Sequence, residues 1–148
     1  MTSPRCVFGV TGGIAAAKAS LAASALVKAG VDVHVIMTES ACQFVTPMTY
    51  RTITVNSVTV DMFAAPDQWN VKHVSLAQSA DVFVVAPATA NFIGKVASGI
   101  ADDMLTTTIM ATRAPVIVVP AMNTGMYTNP IVQRHIATLT LSLIHISE

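Results

Sequence analysis

Three observations predict a three-layer α/β fold with a mostly parallel sheet: short apolar runs, helical stretches between them, and polar residues gathered just after the runs. Cys6–Val10 is the first such run and reads as a strand buried on both faces. Thr11-Gly12-Gly13 turns the chain into the alanine-rich helical stretch Ile14–Ala29, which stops at Gly30. Val31–Met37 alternates apolar residues with Asp32 and His34 and reads as the second strand. Pro47 can open a helix to about Val55, and Val58–Val60 is a weak strand. Ala64–Asn70, with Pro66 and the only tryptophan, Trp69, reads as a loop leading to the short helix HVSLAQSA from His73. Val82–Ala86 is the central strand, with Pro87 expected to stop its ladder because proline has no N–H to donate. Ala88–Asn91 then reads as a polar loop, and Phe92–Ser98 as a helix ended by Gly99. Asp102 and Asp103 can cap a helix running toward Arg113. Pro115–Val119 is a last buried strand, and Pro130 starts a helix toward Leu139. This order implies right-handed crossovers and helices on both faces of the sheet.

A chain of 148 residues is one domain's worth, with no repeat, linker or low-complexity segment. Its composition is 53% hydrophobic and only 11% charged, against roughly 25% charged in an average soluble domain. Charged residues or proline interrupt every apolar run before the ~18 residues a membrane helix needs. The apolar surplus is therefore expected at a subunit interface, which predicts a homo-oligomer. Eight basic and eight acidic residues balance, so nothing electrostatic favours nucleic acid or an anionic membrane as partner. No signal-peptide pattern opens the chain, and Cys6 and Cys42 have no metal or disulfide spacing. Reduced thiols and a cytoplasmic location are the expectation.

The chemistry-bearing residues fall after strands, where open α/β sheets place ligands. Gly12 and Gly13 let backbone approach an anion at a helix start, or serve the turn alone. Gly9, Gly12 and Gly13 do not fit the G-x-G-x-x-G dinucleotide spacing. Lys18 falls more than one turn inside the expected helix and reads as a solvated residue. Thr38 can bond a phosphate or cap the short helix begun by Glu39; Glu39 lies beyond the place of a ribose-binding acid. His34, inside a strand, reads as a satisfied structural histidine. His73, at a helix start, is either an acid/base group or a surface capping residue; spacing alone does not choose.

Six segments in order carry a resemblance: GVTGGIAAAK (Gly9–Lys18), MTESACQFVTP (Met37–Pro47), KHVSLAQSAD (Lys72–Asp81), APATAN (Ala86–Asn91), GIADDMLTT (Gly99–Thr107) and PAMNTGMYTNP (Pro120–Pro130). The chain resembles the flavin-dependent cysteine decarboxylases, most closely the phosphopantothenoylcysteine decarboxylase domain of bacterial coenzyme A biosynthesis. The resemblance implies a Rossmann-like (flavodoxin-like) fold and FMN as cofactor. Gly12, Gly13 and Thr38 would hold its phosphate end, with Thr89, Ala90, Asn91 and Ala121 lining the rest. His73 matches the family's active-site histidine, and Asn123 the asparagine that binds the substrate carboxylate. The implied reaction oxidises the cysteinyl end of 4'-phospho-N-pantothenoylcysteine to a thioaldehyde, releases CO2, and reduces the enethiolate to 4'-phosphopantetheine. In the family the flavin lies between subunits of a trimer, often assembled into a dodecamer. A non-catalytic flavin-binding regulatory subunit, a peptidyl-cysteine decarboxylase and a flavin prenyltransferase are the alternatives.

Three departures accompany the resemblance. Phe92 replaces a small hydroxylic residue after Asn91. Residues 1–148 contain no stretch resembling the ligase domain often fused to this one in bacteria, nor the family's C-terminal flap with its ACG motif and proton-donating cysteine. Leu141–Glu148, LSLIHISE, is unlike the family and looks like a translated sequencing-library adapter. The expected division is thus a flavoprotein domain over 1–140 and a foreign tail over 141–148.

Overall fold

A computed structural model describes residues 3–60, 75–142 and 144–147. Five strands, β1 (Arg5–Val10), β2 (Asp32–Met37), β3 (Val82–Ala88), β4 (Val116–Pro120) and β5 (His145–Ile146), form one sheet. Their order is β2-β1-β3-β4-β5 and every pair is parallel. The helices are α1 (Ser20–Lys28), α2 (Pro47–Thr54), α3 (helical residues 75–79), α4 (Ala90–Ala97), α5 (Met104–Ala111), α6 (Thr124–Tyr127) and α7 (Pro130–Leu141). None is long and apolar enough to cross a membrane.

Successive strand residues point to opposite faces, and both faces are covered. Cys6, Phe8 and Val10 of β1 join Val33, Val35 and Met37 of β2 in one core, against Ala23 of α1 and Tyr50 of α2. Val7, Ile36, Phe83 and Val85 face the other way, into a core closed by Phe92, Ile93, Leu105, Ile109 and Leu139. Apolar runs without alternation are therefore what this sheet demands.

Several elements differ from the sequence expectations. The stretch from Ile14 is not one helix. Ile14–Ala16 is a tight 3-10 turn off the glycines, with Ala16 N bonded to Gly13 O at 3.0 Å. The Ser20 hydroxyl bonds back to Ala17 O at 2.6 Å, and the regular helix begins only there. Lys18 is exposed, as expected, but precedes α1 instead of lying inside it. Pro87 does not end β3. The β3–β4 register slips between Val85 and Ala88, so proline takes a position where no N–H is required and pairing resumes at Ala88 with Pro120. Ala88 thus belongs to the strand, and the expected loop shrinks to Thr89, the N-cap of α4, whose first turn holds Ala90 and Asn91. The turn α6 was not foreseen; Asn123 nucleates it by accepting from Met126 N at 2.9 Å. The expected loop Ala64–Asn70 lies outside the described residues.

In place of a strand over Val58–Val60 there is a single parallel bridge from Thr59 to Ile36. Thr59 N donates to Val35 O at 3.1 Å, and Met37 N donates to Thr59 O at 2.9 Å. Beside it, Asn56 Nδ2 donates to Val33 O at 2.7 Å and to Asp32 Oδ1 at 3.0 Å.

Candidate functional site

Chain order reverses between β1 and β3, and the crevice outside the strand C-termini at such a reversal is where this architecture takes ligands. Three threonines directly follow three neighbouring strands there: Thr11 after β1, Thr38 after β2, and Thr89 after β3. They border a cavity of about 520 Å³, within the usual range for small-molecule sites.

Each threonine is held by its own bond. Thr38 N donates to Val10 O at 3.0 Å, and Thr38 Oγ1 accepts from Ala41 N at 3.1 Å. The capping role is therefore present, yet it uses a lone pair of the hydroxyl and not its hydrogen. Thr89 Oγ1 accepts from Phe92 N at 3.2 Å and caps α4. Thr11 is almost fully buried, and its hydroxyl donates to Pro87 O at 2.6 Å while accepting from Thr89 N at 3.1 Å.

Gly12 lines the cavity against Ser40. A Cβ on Gly12 would collide with Ser40 Cβ and stand 2.8 Å from the Ser40 carbonyl carbon, so only a bare backbone fits. Gly13 does not line the cavity, and a Cβ there would meet Thr89 Cγ2 at an ordinary 3.6 Å. The opposite wall comes from α4 and α5. Asn91 and Lys95, one helical turn apart, both line it. Lys95 Nζ pairs with Asp102 at 2.9 and 3.1 Å. Asp103 caps α5 by accepting from Thr106 N at 2.8 Å and Thr106 Oγ1 at 2.7 Å. Phe92 is buried in the core, so the departure from a hydroxylic residue puts a ring into packing and leaves the backbone N–H to serve the cap.

Of the predicted site residues, Gly12, Thr38, Thr89 and Asn91 are brought together around this cavity. Ala90 sits between two of them in the first turn of α4. Ala121 and Asn123 follow β4 and are not among the lining residues; Ala121 N donates to Ala88 O at 3.0 Å, tying that end to β3. His73 lies outside the described residues. Lining residues to which sequence reasoning assigned no site role include Thr11, Ser40, Lys95, Asp102, Asp103 and Thr106. The Asn91–Lys95 spacing was the available signal for one of them.

Among the described residues, the titratable groups His34, Asp32, Cys6 and Cys42 are structural. His34 Nε2 contacts Asp32 Oδ2 at 3.0 Å, at the strand end opposite the cavity. Burial pushes the Asp32 carboxyl up, but Asn56, His34 and Arg5 outweigh it and hold the group below its ordinary 3.8. Burial drives the Cys6 thiol up to about 11, and burial with the nearby Glu39 charge raises Cys42, so neither is an activated nucleophile.

The fold and the crevice place the chain among doubly wound α/β proteins that hold a ligand at the strand-order reversal. It belongs to the flavoprotein family, which residues 1–147 match. Among its relatives is the coenzyme A biosynthesis bifunctional protein CoaBC of Bacillus subtilis (strain 168), 52% identical over 130 residues, covering 88% of this chain and 32% of the relative. The CoaBC protein of Borreliella burgdorferi is 45% identical over 90% of this chain and 34% of its own length. The chain therefore spans about a third of the curated relatives it matches. Among solved structures, the FMN-dependent cysteine decarboxylase TvaF from thioviridamide biosynthesis superposes with a TM-score of 0.90 at 34% identity, covering 98% of this chain and 90% of that one. A PPC decarboxylase variant complexed with pantothenoylaminoethenethiol gives 0.84 at 30% identity, over 98% and 81%.

Proposed function

We propose that this chain binds FMN and decarboxylates 4'-phospho-N-pantothenoylcysteine to 4'-phosphopantetheine in coenzyme A biosynthesis. The observation that carries the reading is the crevice at the β1–β3 reversal, framed by Gly12, Thr38 and Thr89 in a chain half-identical to a CoaBC protein. The residues fit FMN. Gly12 offers bare backbone packed against Ser40, and the Thr38 and Thr89 hydroxyls, each accepting a backbone N–H, keep their hydrogens to donate, a neutral donor set suited to a phosphate. The acids of the far wall are already engaged, Asp102 by Lys95 and Asp103 by Thr106.

In this reading Gly12 and Thr38 hold the phosphate end, with Gly13 beside them, and Thr89 and Asn91 border the remainder, with Ala90 between them and Ala121 beyond the cavity lining at the end of β4. Bound flavin supplies a reversible two-electron acceptor. The chain orients the cysteinyl group and manages protons. His73 is the acid/base group. Asn123 receives the substrate carboxylate: its Oδ1 is occupied by Met126 N, which leaves the amide N–H groups to donate.

The apolar residues Ile14, Leu21 and Ile131 are 92%, 67% and 54% exposed, which supports a homo-oligomer; in this reading it is a trimer or dodecamer, with the flavin between subunits of a cytoplasmic enzyme. The domain occupies residues 1–140, and 141–148 is a foreign tail whose His145 and Ile146 have found the free edge of β4. The family match runs to residue 147, so sequencing the source DNA beyond Thr140 is the test.

Reconstitution with FMN, followed by flavin absorbance and product mass, tests the activity. His73→Asn should keep flavin and lose decarboxylation by about 10²–10⁴-fold. Protein that takes up no FMN overturns the reading. Decarboxylation of a peptide C-terminal cysteine but not the pantothenoyl substrate would make the chain a peptidyl-cysteine decarboxylase instead.

A further inference from the structure

We infer that Thr11 is a positioning residue: its hydroxyl sets the distance between the two halves of the cofactor site, an inference that rests on the FMN reading above. Gly12 and Gly13, on the β1 side, follow Thr11 directly, and Thr89 to Asn91 form the β3 side. These two halves come from segments 76 and 78 residues apart, and three hydrogen bonds of Thr11 join them. Thr11 N donates to Pro87 O at 3.3 Å, Thr11 Oγ1 donates to the same carbonyl at 2.6 Å, and Thr89 N donates to Thr11 Oγ1 at 3.1 Å.

The arrangement depends on the register slip in β3. Where pairing with β4 lapses between Val85 and Ala88, the Pro87 carbonyl is turned to the β1 side and accepts both Thr11 donors. The Thr89 N–H, which donates to the same hydroxyl, belongs to the residue that caps α4 and so aims the first turn bearing Ala90 and Asn91. One hydroxyl serves as donor to one neighbour and acceptor from the other. Only serine or threonine can do both from this site; valine has the same shape and can do neither. Thr11 is 2% exposed, so its hydroxyl bonds lie out of bulk solvent, where a lost partner is costly. The third lip is tied to the same strand end, since Thr38 N donates to Val10 O at 3.0 Å. A shift at Thr11 would therefore be felt by the glycine turn and the α4 start together.

The test compares Thr11→Val, Thr11→Ser and a control, Thr54→Val, in the protein reconstituted with FMN. Thr54 is also buried and donates to Tyr50 O at 2.9 Å, but it lies in α2 and does not border the cavity. FMN dissociation constants are read by fluorescence titration, with melting temperature and the visible spectrum of bound flavin. Thr11→Val should weaken FMN by about 10–100-fold and alter its spectrum, as the Thr89 N–H loses its acceptor and the Pro87 carbonyl keeps only the longer bond from the backbone N–H of residue 11. Thr11→Ser should stay within about threefold of wild type, and Thr54→Val should lower melting temperature without changing FMN affinity. Wild-type affinity in Thr11→Val overturns the inference, as does an equal loss in Thr54→Val, which would mark a general loss of stability. If Thr11→Val does not fold, Thr11→Ser decides: retained affinity upholds the hydroxyl, and lost affinity refutes it. Wild-type protein that takes up no FMN overturns the cofactor reading itself and this inference with it.

Discussion

Replacing Gly12 by alanine isolates the contact on which the cradle is built. Gly12 does not have the positive φ found at Gly30 and Gly99, so backbone strain does not enter. The effect is steric. The new methyl would meet Ser40 Cβ well inside contact distance, with the Ser40 carbonyl carbon at 2.8 Å and its oxygen at 3.1 Å. Two of these three atoms are backbone, so no side-chain rotation relieves the clash. The turn after β1 and the segment after β2 must separate. Overpacking of this kind costs about 1–3 kcal/mol. For a chain of this size that is a fall in melting temperature of roughly 2–12 °C, at about 2–4 °C per kcal/mol. Because the same separation widens the phosphate cradle, FMN affinity should fall by about tenfold or more. Gly13→Ala is the internal comparison. Gly13 has φ −145° and ψ 168°, which alanine adopts readily, and its Cβ would meet Thr89 Cγ2 at 3.6 Å and Pro87 Cγ at 4.0 Å. Its melting temperature should stay near wild type. Calorimetry with fluorescence titration of both variants is the assay; a Gly12→Ala protein with wild-type stability and affinity would refute the argument.

Three further outcomes follow from the same geometry. Asp103→Ala removes the capping box of α5 and should cost about 1 kcal/mol in denaturant unfolding; an unchanged midpoint would mean that the fold does not need the cap. Burial pushes the Tyr50 phenol, which donates to Ala16 O at 2.6 Å, from 10.0 to about 12. The neutral form is the one the fold holds, so stability should be intact below pH 10 and fall as pH rises toward 12, while Tyr50→Phe lacks this slope. Asp32 has the opposite sign: its carboxyl is held below 3.8, so its contribution is present above that pH and is lost as pH falls through the lower folded value. Urea unfolding from pH 2 to 6 should show an acid-side slope that is shallower in Asp32→Asn, and equal slopes would contradict the assignment.

Much of the fold was legible because each strand between cores is apolar on both faces, and Gly30, Gly99, Pro47 and Pro130 mark helix limits. Gly12, Thr38, Thr89 and Asn91 could be read as site residues because they follow strands. The behaviour of Pro87 could not, since whether proline ends a ladder depends on the register of a strand some 30 residues later. Nor could the early break at Ser20, where a local hydroxyl bond competes with the helix. The difference between Gly12 and Gly13 was hidden for a related reason. Adjacent glycines look alike in a sequence, and only the approach of Ser40 from β2's far end tells them apart.

The short segment beside β2 bears on how molecules of this kind meet. An edge strand of a parallel sheet presents unpaired amides and carbonyls to any extended chain that passes. Here Asn56 takes the Val33 carbonyl with its side chain, and Thr59 takes the Val35 carbonyl and the Met37 amide with its backbone. Four residues thus imitate a neighbouring strand without offering a new edge of useful length. Among the described residues, the β2 edge therefore offers a second molecule little backbone with which to continue the sheet. On this side of the sheet a second copy would meet exposed side chains, such as Leu21 on α1 and Met48 on α2, where shape and not backbone pairing would select it. Self-association can then be specific and closed, with no route from β2 to an endless ribbon.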